Sequence, residues 1–249
     1  MSENLITEKR FTDLSNQAYK RDIVTFSDFL TPNEINILQQ NTKSYVTSYE
    51  LFGGYEFAER QIAAFVPDAL SYIWKYPVDC IQICPAYPKF AESLSHRDIL
   101  GAVMSLGIER DKTGDIMVKD SNAYLFCKRE ITDYILQELT QIRHTLIHCE
   151  TVSADDLQIK PELQDYSAII ASSRLDNVVS ALCKISRSTA VNTIQSGKVS
   201  IQGKECLHNS YLCKPDDIIS IRGFGKFRFC GEGALTKKNR IIINYKKYI

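Results

Sequence analysis

Apolar positions in the first part of the chain recur at helical spacing. Phe11, Leu14, Ala18, Ile23, Phe26 and Phe29 predict helix across residues 11–30. Thr31-Pro32-Asn33-Glu34 predicts the start of another. The threonine hydroxyl can cap free backbone N–H groups, proline suits the first helical position, and Glu34 completes a capping box. Gly53-Gly54 marks a turn, and Tyr55 to Phe65 reads as a further short helix with Glu56 and Arg60 paired four apart. Residues 1–76 are therefore expected to form a helical domain, closed off by Pro67 and Pro77.

After Pro77 the period changes repeatedly. Val78 to Cys84 alternates as a strand, and Ser95, with Asp98 three residues on, caps a helix from His96 to Leu106 that Gly107 ends. Gly114 to Lys119 and Asn122 to Cys127 read as two strands, Ile131, Ile135, Leu136 and Leu139 as a helical stripe, and His144 to Val152 as a last strand. The order β-α-β-β-α-β predicts a ferredoxin-like domain over 77–153. A polar, acidic stretch with Pro161 is expected to serve as a linker over 154–171. Beyond it, Leu175, Val178, Val179 and Leu182 form one helix face, and Ser186 caps a second helix that Gly197 terminates. Val199 to Ile201 and Ile218 to Arg222 read as strands, with Gly223 and Gly225 as bulges. The predicted fold class is α+β.

Charge changes this picture more than composition does. The 249 residues are 44% hydrophobic and 24% charged, an ordinary globular balance that excludes collagen-like, disulfide-dense and disordered classes. No apolar run approaches the ~20 residues of a membrane span, and the charged N-terminus does not read as a secretory signal. Eight cysteines, none in a C-x-x-C pair, suit a reducing cytoplasm. The formal net charge is zero, yet residues 172–249 hold 14 Lys and Arg against five Asp and Glu. That +9 is matched by −9 over the preceding residues, so an acidic body is joined to a basic, polyanion-seeking module.

The basic module carries Arg174-Leu175-Asp176, Ser186-Arg187-Ser188, Ile194-x-x-Gly197-Lys198-Val199-x-Ile201-x-Gly203, Asp217-x-Ile219 and Arg222-Gly223, a pattern that resembles the S4 RNA-binding domain. On this reading Arg174, Arg187, Ser188 and Lys198 project from a common rim, extended by Lys204, Arg222, Lys226 and Arg228 and, in the tail, by Lys237 and Lys238. Arginine forks can grip phosphate oxygens in pairs, as lysine cannot. Further stretches widen the likeness: Phe52-Gly53-Gly54-Tyr55-x-x-Ala58-Glu59-Arg60, His96-Arg97-Asp98-x-Leu100-Gly101, Gly107-Ile108-x-Arg110, Gly114-Asp115-Ile116 and Gly223-x-Gly225-Lys226-Phe227. Over the whole chain the sequence resembles the YlmH family of bacterial S4-domain RNA-binding proteins. The resemblance implies a cytoplasmic factor that meets rRNA and tRNA on the large ribosomal subunit carrying a stalled peptidyl-tRNA, in ribosome-associated quality control.

Other chemistry is weaker. Arg-Leu-Asp also opens a pseudouridine synthase signature, but Asp176 lacks the Thr-Ser-Gly turn that follows there. His96-Arg97-Asp98 echoes a kinase triplet without a glycine-rich phosphate loop or an Asp-Phe-Gly. His144 and His148 on one strand would stand ~13 Å apart, too far for a single ion. Arg97, Arg110 and Tyr124 are secondary candidates for RNA contact, Tyr124 by stacking as aromatics do in RNA-recognition sheets. The expectation is a non-enzymatic protein without cofactor or metal that binds structured RNA; the rival expectations are an RNA-modifying enzyme with its site in the middle domain, or a protein-interaction scaffold.

Overall fold

The computed structural model describes residues 3–68, 72–119, 121–154, 157, 163–236 and 239–248. The chain forms two compact units, residues 1–159 and 160–249.

The first unit opens with α1 (Glu3–Arg21), β1 (Thr25–Leu30) and α2 (Pro32–Gln40), followed by β2 (Ser48–Phe52) and β3 (Gln61–Val66). The N-terminal segment is thus only partly helical. The predicted 11–30 helix stops at Arg21, and Phe26 and Phe29 belong to a strand; the predicted 55–65 helix is a turn followed by β3. The three strands pair antiparallel in the order β1-β3-β2. The α2 start is as expected, with Thr31 accepting from the Glu34 N–H and Glu34 accepting from the Thr31 N–H.

The middle segment contributes β4 (Val78–Pro85), α3 (His96–Ser105), β5 (Thr113–Lys119), β6 (Asn122–Lys128), α4 (Thr132–Glu138), β7 (Gln141–Ile142) and β8 (Thr145–Val152). Its sheet order, β5-β6-β4-β8-β7, with every neighbour antiparallel, is the ferredoxin-like arrangement with a short added edge strand. Ser95 and Asp98 form the expected capping box on α3.

No domain boundary falls at Pro77, because a shared core crosses it. On one face of the ferredoxin-like sheet α3 and α4 bury Ile81, Ile83, Ile99, Val103, Leu125 and Ile135. On the other face Cys80 and Phe126 pack against Phe29 and Ile62 of the N-terminal sheet. The N-terminal sheet in turn covers Phe11, Leu38 and Phe65 with α1 and α2. The unit is a four-layer α-β-β-α sandwich.

The second unit comprises β9 (Leu163–Ile170), α5 (Leu175–Cys183), α6 (Arg187–Gln195), β10 (Val199–Ile201), β11 (Lys204–Glu205), β12 (Ile218–Ile221), β13 (Gly225–Leu235) and β14 (Ile241–Tyr248). They build one sheet in the order β11-β10-β12-β13-β14-β9, with the helix pair on one face. Residues 163–170, read above as linker, are a strand paired with β14 along its whole length, from Leu163↔Tyr248 to Ile170↔Ile241. Gly223 lies in the β12–β13 turn rather than in a bulge, and Gly225 opens β13.

Candidate nucleic-acid interface

The helix pair of the second unit is organised around one carboxylate. Asp176, in the first turn of α5, is 1% exposed. Its oxygens accept from Nε and Nη2 of Arg174 at 3.2 Å each, from Nε and Nη2 of Arg187 at 3.1 and 2.7 Å, and from the Asn177 N–H at 3.0 Å. Burial alone would raise this carboxyl, but the two guanidinium groups outweigh burial and hold it below the usual carboxylate range. Arg174 is the residue before α5 and Arg187 the first of α6, so the buried anion ties the two helix starts together. The arginine side chains remain 36% and 58% exposed, leaving donors at the surface. Ser186 caps α6 by accepting from the Thr189 N–H, and its hydroxyl lies 2.9 Å from that of Ser188.

The remaining cations of the predicted rim fall elsewhere. Direct cross-strand partners share a face, and successive residues alternate. Ile219, Ile221, Phe227, Phe229 and Tyr245 make the face buried under the helices. Ser200, Ser220, Lys226, Arg228 and Lys246 therefore belong to the opposite, helix-free face. The Arg222 N–H donates to the Lys198 carbonyl at 2.9 Å, which extends the β10–β12 ladder and sets these two residues opposite one another at its end. Lys204 sits on the edge strand β11. Arg228 donates through Nε and Nη2 to Asp216 at 2.9 and 2.6 Å, and Lys246 lies 3.4 Å from Asp165. The single continuous rim is thus corrected to two groups, one at the helix starts and one on the sheet. Three of its arginines, Arg174, Arg187 and Arg228, are engaged by carboxylates. Lys237 and Lys238 lie outside the described residues.

The secondary candidates separate as well. Arg97 is exposed in the first turn of α3. Arg110 is an internal brace: its Nη1 donates to the Thr113 carbonyl, the Thr113 hydroxyl and the Gly114 carbonyl, and burial together with neighbouring Arg60 lowers its pKa to about 10. Tyr124 is half-buried beside Phe126, whose ring stacks on Tyr55 at 4.9 Å and is fully buried. The sheet face that an RNA-recognition fold would offer to bases is covered at Phe126 by the N-terminal layer. A cavity of about 360 Å³ borders that contact; its carboxylate, Asp79, accepts from the Thr132 hydroxyl and from Arg129 Nε. His144 precedes β8 and His148 lies within it. Among the described residues no group of three His, Cys, Asp or Glu converges as metal ligands, and no helix is long and apolar enough to cross a membrane.

Sequence reasoning missed what Asp115 does. It accepts from the Tyr55 hydroxyl at 2.9 Å and from the N–H groups of Glu59 and Arg60 at 2.7 and 3.2 Å. Arg60 then donates to the carbonyls of Phe29, Arg110 and Thr113. The signal was present, since Gly54-Tyr55, Glu59-Arg60 and Gly114-Asp115 were all conspicuous strings; their meeting in space was not.

A helix pair whose starts are tied by two arginines to one buried carboxylate, laid on one face of a sheet, is the arrangement of an S4 domain. Residues 173–219 match the S4 domain family, and residues 74–156 match the family described as "Putative RNA-binding domain in YlmH". In both of these segments the chain is similar to YlmH-type S4-domain proteins. It is similar to the Ribosome-associated protein quality control protein P2 of Bacillus subtilis (strain 168), at 29% identity over 227 residues covering 89% of this chain and 86% of that protein. In fold it is similar to the cell division protein ylmH from Streptococcus pneumoniae, at 20% identity and a TM-score of 0.51, covering 63% of this chain and 93% of that one.

Proposed function

We propose that the chain is a non-enzymatic, cytoplasmic RNA-binding factor that engages structured rRNA and tRNA on the large ribosomal subunit when a peptidyl-tRNA has stalled. The observation that carries this reading is the pair of exposed guanidinium groups held at the helix starts by buried Asp176, within a segment of net charge +9. Two pre-oriented arginine forks are suited to phosphate oxygens, because the carboxylate has already removed much of their rotational freedom. Phosphate contacts then supply affinity and position, with shape rather than sequence as the discriminator. The name of the Bacillus subtilis relative supports a ribosomal setting.

The test is sedimentation of the full chain with purified large subunits, vacant or carrying peptidyl-tRNA, followed by crosslinking and sequencing of the attached RNA. The expected result is preferential pelleting with the peptidyl-tRNA-bearing subunit and crosslinks to rRNA and tRNA. Equal recovery with and without subunits overturns the reading.

A further inference from the structure

Among the described residues of the second unit, the sheet has α5 and α6 on one face and no helix on the other. Register places the helix-free residues in rows across the strands. Glu205, Ser200, Ser220 and Lys226 form one row, and Ile218, Arg228, Lys246 and Asp165 the next. Lys198 and Arg222 close one margin. Lys226 Nζ lies 4.8 Å from the centroid of the Tyr248 ring, so an aromatic lies among the cations. Much of this surface comes from β13 and β14, outside the residues that match the S4 family.

We propose that this helix-free face is a second RNA-contacting surface, in which Lys226, Arg228 and Lys246 hold the phosphates of an RNA segment distinct from the one at Arg174 and Arg187. The inference rests on the RNA-binding reading above and adds a face to it. Among the described residues, five cations stand here against three carboxylates: Glu205 in the first row, and Asp165 and Asp216, which pair with Lys246 and Arg228. The two aspartate side chains are 79% and 70% exposed, so both ion pairs are solvent-screened and exchange readily for phosphate. Short serine hydroxyls between the cations let a sugar-phosphate chain approach closely. Ile169 and Ile242, the aliphatic pair a protein partner would need, lie at the other end of β9 and β14, leaving the half-buried Ile218 among the cations. Cations on strands and an aromatic ring beside them are the means by which sheets track a polynucleotide backbone.

The experiment uses the full chain and a fluorescein-labelled RNA stem-loop with a single-stranded tail, read by anisotropy across a salt series. Lys226→Glu with Lys246→Glu is expected to weaken binding about tenfold or more and to flatten the salt slope by about two. Arg187→Glu is expected to weaken it too, flattening the slope by about one, and the two effects to multiply when combined. Lys226→Gln with Lys246→Gln, which adds no like charge to the sheet, is expected to show a smaller loss and a native melting curve. Wild-type affinity and slope in both lysine pairs, beside a loss in Arg187→Glu, overturns the second surface and leaves the first intact. Salt-independent or absent binding by the wild type overturns the RNA-binding reading and this inference with it.

Discussion

Asp176 shows how one buried carboxylate can turn two mobile arginines into a fixed feature. Replacing it with asparagine keeps its shape but removes the charge that both guanidinium groups face. Hydrogen bonds to charged groups are worth about 1.5–3 kcal/mol each when buried, and these arginines are partly exposed. Asp176→Asn should therefore destabilise the second unit by about 1–3 kcal/mol, read as a lower urea midpoint. The pH dependence follows from the same pair. Asp176 is held below its usual pKa, so its contribution is fully present above about pH 4, the unfolded value, and is lost as pH falls through the folded one. Acid should erode the difference between wild type and Asp176→Asn. Asp28 follows the same sign in the first unit, where hydrogen bonds from Lys128 and Lys112 outweigh burial. Gly54 is a second decisive residue. Its φ is +100°, and a β-carbon there would stand 2.2 Å from Phe126 Cδ1. Gly54→Ala should cost about 2–4 kcal/mol from backbone strain and overpacking together, measured as a fall in the melting temperature of the first unit.

At the scale of elements, legibility depended on how many faces each element buries. The capping boxes at Thr31 and Ser95 and the helix stripes of the S4 pair were readable because a helix end or a one-sided stripe leaves a local signature. The strand β3 was not. Ile62, Ala63, Ala64 and Phe65 are all fully buried because layers pack on both faces, which erases the two-residue alternation and leaves a run that helix and strand share. The strand β9 was hidden for the opposite reason: at the sheet edge it is mostly exposed and polar, so it looked like a linker. Its pairing with β14 spans eight residue pairs, from Leu163 to Ile170. Phe126 tests the layer contact that the glycine-tyrosine string makes possible. Phe126→Ala should cost about 3–5 kcal/mol and loosen the N-terminal sheet, seen as faster amide exchange at Phe29 and Ile62.

At the scale of the whole molecule, the charge split was legible and its geometry was not. Composition located the +9 in the last 78 residues, but only strand register could distribute those cations between the helix starts and the helix-free face. Register also moves the boundary of the basic module. A fragment beginning at Ser172 would lack β9 and leave β14 as a bare edge with Tyr245 stripped of its stacked neighbour Tyr166, 5.5 Å away. A fragment of residues 160–249 keeps the whole sheet and should fold cooperatively and bind RNA with a steep salt dependence, because several phosphates release their counterions on binding. Residues 1–159, which carry the acidic excess and have Arg110 and Phe126 committed to internal packing, should bind the same RNA far more weakly at every salt concentration. Anisotropy titrations of the two fragments beside a Ser172 start check both halves of the argument. Equal affinity of the two complementary fragments would mean that the acidic unit contacts RNA as strongly as the basic one, and would overturn the argument from charge.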